Sequence, residues 1–337
     1  MRITRDFVLK FTNETIERRA RSGGDLSAAY LCGSFLEEDY LLGGAADVDL
    51  FLVHSEKPSA GRELVRLTDD IHLDIAHHDQ RDYRDTRSVR VDPWLGPAVN
   101  NCKILYDPQH FMDFVRASVR GQFDRPDHVY QRAGALADKA REAWFHLQGE
   151  QLEPGPAAVR EYLSAVGKAA NAIASLNGQP LAERRLLLGF PARAEALERP
   201  GLYQGFLGLL GAQNLKLPLL GSWLSSWAKA FLALPQAEAP ERLQPLRLNY
   251  YLEALREMVE GDSPAAALWP LLDTWTVMAE IYPAETSHRV DWRQAAEQLG
   301  LYGPALTERI EALDAYLDLV EETLETWAQV NGAWESA

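Results

Sequence analysis

The chain has 337 residues, enough for two domains that each bury a core without covalent staples. Its 34 Lys and Arg stand against 49 Asp and Glu, a formal net charge of −15. That excludes a general nucleic-acid binder, which needs clustered basic side chains to displace phosphate counterions. Two cysteines, Cys32 and Cys102, exclude a disulfide scaffold and point to a reducing, cytoplasmic setting.

The N-terminal residues mix Arg, Asp, Glu and Lys and offer no apolar run of the secretory kind, so no export is expected. Residues 2–21 read as an opening helix, with Ile3, Phe7, Val8, Phe11 and Ile16 near helical spacing and Gly23-Gly24 as its stop. Short apolar runs at 28–32, 48–53, 71–76 and 103–106 read as strands, the last closed by the turn Asp107-Pro108. A charged helical stretch at 79–91 separates the third strand from the fourth.

From about Pro126 the composition turns to Ala, Leu, Glu and Trp, and eight of the nine tryptophans lie there. Helices are predicted at 127–150, 155–177, 181–190, 201–234, 245–260, 264–281, 291–299 and 303–330. The most apolar of them, 202–234, is interrupted by Gln204, Gln213, Asn214, Lys216, Pro218 and Lys229, so it reads as buried helix and not as a membrane span. The predicted fold class is α+β, a small mixed-sheet domain over 1–125 followed by an all-α domain over 126–337. Residues 1–125 carry 17 basic and 21 acidic side chains against 17 and 28 beyond, so most of the negative charge sits on the helical part.

The chemistry is concentrated in residues 31–53, LCGSFLEEDYLLGGAADVDLFLV. A strand ends in Gly33-Ser34 and, after a spacer, the next opens with Asp47-Val48-Asp49. Side chains alternate along a strand, so Asp47 and Asp49 share one face while Val48, Leu50 and Leu52 enter the core. Two carboxylates on one face repel unless a cation lies between them, and Mg2+ is the natural one because it takes oxygen ligands and commonly also binds substrate phosphates. In the run 71–76, Asp74 leaves the apolar face set by Ile71, Leu73 and Ile75. If that strand lies beside the Asp47/Asp49 strand, three carboxylates converge on a two-metal site. Gly33 would let the backbone approach a phosphate, and Ser34 would add an N–H and a hydroxyl.

Gly33-Ser34, the spacer, Asp47-Val48-Asp49 and the later Asp74 resemble the signature of the polymerase-beta-like nucleotidyltransferase superfamily, over roughly residues 28–107. With a long helical domain following, the chain is most similar to aminoglycoside nucleotidyltransferase-type bacterial proteins. The resemblance implies transfer of a nucleoside monophosphate, AMP in the first instance, from Mg2+-bound ATP or another NTP to a hydroxyl of a small-molecule acceptor, with release of pyrophosphate. It implies Asp47, Asp49 and Asp74 as metal-binding and catalytic residues and Gly33 and Ser34 on the phosphates. It also places basic residues of the helical domain on the triphosphate, for which Lys168 and Arg184 are the candidates. A monomer or homodimer without membrane attachment is expected. The open alternatives are a non-catalytic nucleotide- or partner-binding protein of toxin-antitoxin type and a nucleotidyltransferase that modifies proteins.

Other features read more plainly. Arg81, Arg84, Arg87 and Arg90 recur every three residues with Asp82 and Asp85 interleaved, which fits a solvated or interdomain helical face. The neighbours His77 and His78 would point to opposite sides of a strand and so would not share a metal. Arg141 and His146 fit the loose Arg-x4-His spacing of helical ribonucleases, a spacing that also arises by chance.

Overall fold

The computed structural model describes residues 4–149 and 154–334, so residues 2, 3 and 150 of the predicted helices lie outside the described part. The chain divides into two compact units, Met1–Asp124 and Arg125–Ala337.

The first unit opens with helix α1 (Arg5–Gly23), capped by Thr4, whose hydroxyl accepts from Phe7 N, and ended by Gly24 at φ 65°. Then come β1 (Leu26–Cys32), β2 (Ala46–His54), β3 (Arg62–Arg66), β4 (Ile71–Asp79), α2 (Thr86–Val91), α3 (Leu95–Asn100), β5 (Lys103–Tyr106) and α4 (Phe111–Arg120). The five strands form one sheet in the order β3-β4-β2-β1-β5. β2 and β4 run parallel, and the other neighbours are antiparallel.

Alternation along the central strands feeds two cores. Ala29 and Leu31 of β1, Val48, Leu50 and Leu52 of β2, and Leu73 and Ile75 of β4 pack on Val8 and Ile16 of α1. On the other face Ala28, Tyr30 and Cys32 pack with Val89 of α2, Val99 of α3 and Met112, Val115 and Val119 of α4. The 79–91 stretch is not one helix. A 3-10 turn at Gln80–Tyr83 is broken from α2 by Asp85, whose carboxylate accepts from Arg87 N and Ser88 N as the cap of α2. β3 has no counterpart among the predicted strands. As a five-residue edge strand with Arg at both ends, RELVR lacks the apolar run that marks a central strand.

The second unit is all-α. It contains α5 (Pro126–Gly149), α6 (Pro156–Ala174), α7 (Leu186–Ala196), α8 (Gly201–Leu209), α9 (Leu217–Ala233), α10 (Leu248–Glu260), α11 (Leu268–Ile281), α12 (Ser287–Leu299) and α13 (Pro304–Asn331). Buried tryptophans serve packing, and two of them also tie helices together through their N–H groups: Trp227 donates to Thr274 Oγ1 at 2.9 Å and Trp292 to Thr276 Oγ1 at 3.1 Å. No helix among the described residues is long and apolar enough to cross a membrane.

The predicted 201–234 helix is two helices. Gly211 breaks it with φ 71°, and there the backbone passes so close to the end of α12 that a Cβ would lie 2.0 Å from Leu299 O. Both the left-handed backbone and the contact with a main-chain oxygen demand glycine. Gly211→Ala should therefore lower stability by at least about 2 kcal/mol. A urea titration reads this directly, and an unchanged midpoint would contradict the packing described.

Candidate metal centre

The parallel pairing of β2 with β4 sets Asp47 opposite His72, Val48 opposite Leu73 and Asp49 opposite Asp74. Residues in register share a face of the sheet, so burying Val48 and Leu50 with Leu73 and Ile75 turns all three acids to the other side. One carboxylate oxygen from each of Asp47, Asp49 and Asp74 lies within 4.8 Å of the other two. Asp47 and Asp74 are buried and Asp49 is half-buried. Three hard anionic oxygens so grouped, without sulfur or imidazole among them, are a donor set suited to Mg2+.

The turn after β1 is fitted to this cluster. Cys32 pairs with Asp49, and the next residue, Gly33, has φ 72° and ψ −164°. A Cβ on Gly33 would stand 2.2 Å from Asp49 Oδ2, so the carboxylate occupies the space the missing side chain leaves. Ser34, half-buried, begins the 3-10 turn Ser34–Leu36. Arg5 of α1 pins that turn by donating to Phe35 O at 2.6 Å and to Glu37 O, with its guanidinium over the rings of Phe35 and Tyr40 at 5.4 and 5.2 Å. Burial, reinforced by the Asp49 carboxylate, pushes the Cys32 thiol well above its ordinary pKa, which keeps it neutral.

One participant is absent from the sequence reading. Arg62 of β3 grips Asp74 with a guanidinium fork, Nε donating to Oδ1 and Nη2 to Oδ2 at 2.8 Å. The Asp74 side chain is fully buried while Arg62 is 45% exposed. The signal was available only as an Arg on an unrecognised edge strand. Its partner became visible once the register placed Leu64 opposite Asp74 and Arg62 opposite Ala76, on the same face.

His77 and His78 point to opposite faces. His77 Nδ1 lies 2.9 Å from His54 Nε2, and its Nε2 lies 3.1 Å from Glu63 Oε1. His78 Nδ1 lies 2.9 Å from Tyr83 Oη, itself 2.8 Å from Tyr30 Oη. When Tyr30 donates to Tyr83 and Tyr83 to His78, both phenol protons are used and Nδ1 must be unprotonated. Burial first, and the nearby Arg62 charge as well, hold His78 below its ordinary value.

The remaining candidates sit elsewhere. Lys168 is half-buried on α6. Arg184 is buried, donating to Tyr250 O at 2.6 Å with its guanidinium carbon 3.4 Å from the Tyr250 ring centroid. The arginine series forms no stripe: Arg81 is paired with Asp79, and Arg90 is buried, bonded to Ser118 O and Gln122 Oε1. Arg141 is held by Asp314, Asp318 and Glu321 of α13 at 2.6 to 2.8 Å, a clasp between α5 and α13.

Two measurements follow from this geometry. Gly33→Ala should displace the Asp49 carboxylate and weaken Mn2+ binding at least about tenfold, given a contact far inside van der Waals distance and a strained φ. Binding of Mn2+ as tight as in the parent chain would refute the fit. For His78, the unfolded chain takes up a proton near pH ~6.5, whereas the folded chain resists it to lower pH. Its contribution is therefore complete above pH ~6.5 and is lost as pH falls from there through the folded value. The melting temperature should drop between pH 7 and pH 5, and His78→Gln should flatten that part of the profile.

No family model matches the chain, and no curated protein matches it. Among solved structures, a nucleotidyltransferase-like protein from Exiguobacterium sibiricum 255-15 aligns over 87% of this chain and 92% of its own, at 12% identity and a TM-score of 0.31. An alignment so loose carries no argument about this protein.

Proposed function

We propose that the protein transfers a nucleoside monophosphate, AMP in the first instance, from a nucleoside triphosphate to a hydroxyl of a small-molecule acceptor and releases pyrophosphate. The observation that supports this reading above all is the convergence of Asp47, Asp49 and Asp74, whose oxygens lie within 4.8 Å of one another. In this reading Asp47, Asp49 and Asp74 hold Mg2+. A bound divalent ion there supplies Lewis-acid polarisation and lowers the pKa of an attacking hydroxyl.

The chain's own groups do the rest. Asp74 is also the candidate acceptor of the hydroxyl proton. Gly33 and Ser34 contribute backbone N–H groups and a hydroxyl to the β- and γ-phosphates. Residues 1–125 are the catalytic part and 126–337 shape the choice of acceptor. Lys168 and Arg184 are the basic residues assigned to the triphosphate. Arg184 is the costlier of the two to recruit, being buried against Tyr250. Positioning and neutralisation of charge supply most of the rate in such transfers. The protein works in the cytoplasm as a monomer or homodimer in this reading, with no membrane or nucleic-acid partner, and an aminoglycoside-like drug is one acceptor worth testing.

The fork of Arg62 on both oxygens of Asp74 favours a second reading, nucleotide binding without turnover. Labelled ATP and Mg2+ with a panel of aminoglycosides, lincosamides and cell lysate separate the two. Small labelled products support the proposal, labelled protein bands shift the acceptor to a protein, and bound but unconverted ATP supports the second reading. Asp49→Asn should lower pyrophosphate release roughly a thousandfold, the several kcal/mol a metal supplies, while the melting temperature holds or rises. A fully active Asp49→Asn would end the proposal.

A further inference from the structure

The geometry points to Arg62 as a resident counter-ion that competes with the divalent ion for Asp74. This inference rests on the metal-binding reading above and adds a residue that sets the affinity of the site. Arg62 projects from the edge strand β3 onto the face that carries the acids and takes both oxygens of Asp74. A carboxylate buried to full exclusion of solvent needs a cation or proton partner, and a fork on both oxygens is the strongest such pairing a side chain offers. The same oxygens are those Asp74 would present to an ion. Arg62 is nearly half exposed, so its guanidinium has solvent to move into when an oxygen is surrendered.

The geometry gives the direction of the effect. Arg62 keeps Asp74 aimed before loading by taking both of its oxygens, and its own positive charge repels the arriving ion. The strand is held for that task on its opposite face. Glu63, next to Arg62, lies 3.1 Å from His77 Nε2 and accepts from Arg19 of α1 at 2.5 Å.

The test is Mn2+ binding, followed by electron paramagnetic resonance on the full chain without nucleotide. Arg62→Met should bind Mn2+ about tenfold more tightly than the parent and melt at a lower temperature when metal-free. Arg62→Lys, which keeps the charge and loses the fork, should bind about threefold more tightly and serves should the Met variant not fold. A purely structural ion pair predicts the opposite sign, because loosening Asp74 would weaken binding. Unchanged or weaker Mn2+ binding in a folded variant overturns the inference and leaves the proposed function standing. Absence of Mn2+ binding to the parent chain overturns both.

Discussion

The first unit holds three mutually repelling carboxylates together on one sheet face. At separations of 4.8 Å or less and an effective dielectric of about 20, each pair costs roughly 3 kcal/mol or more when both carboxylates are ionised. Three such pairs approach the ~5 to 15 kcal/mol by which a domain is stable at all. Positive charge brought to the cluster relieves this repulsion, and Arg62 brings some. The grouping of three carboxylate oxygens on one face is the physical basis for reading the cluster as a site for a divalent cation.

The hydrophobic core is what forces the acids together. Val48, Leu50, Leu73 and Ile75 are buried on the α1 side, and the side-chain period of two leaves Asp47, Asp49 and Asp74 no place but the other face. A slip of one residue between β2 and β4 would trade buried aliphatics for buried charge, so the register that makes the site is the register that makes the core. The turn at Gly33 completes the arrangement, because the absent side chain is the space Asp49 fills. Arg5 ties that turn to α1, so the opening helix supports the site as well as the core.

The edge strand β3 shows how one short element serves both faces. Arg62 reaches Asp74 on the acid face, while Glu63 joins Arg19 and His77 on the other, where His77 continues to His54 and Asp25. These polar ties add to the packing of Val65 against the core in holding the short edge strand. They also explain why two adjacent histidines belong to separate networks, His77 with this chain of groups and His78 with Tyr83 and Tyr30.

Much of this was legible in the residues themselves. Alternation at 47–52 and 71–76 assigned faces to Asp47, Asp49 and Asp74, since the period of a strand is local geometry and needs no partner. The shift to Ala, Leu and Trp marked the helical part for the same reason. What the chain could not declare alone was pairing: that β4 lies parallel to β2 with Asp74 opposite Asp49, that RELVR is a strand, and that Arg62 and Asp74, twelve residues apart, form a fork. Gly211 likewise falls inside the single helix predicted over 201–234, and only the fold brings the carbonyl of Leu299, nearly ninety residues on, into the space beside it. Local periodicity is written in consecutive residues, whereas register, edge pairing and close backbone contacts depend on which distant segments pack together, and only the tertiary structure decides that.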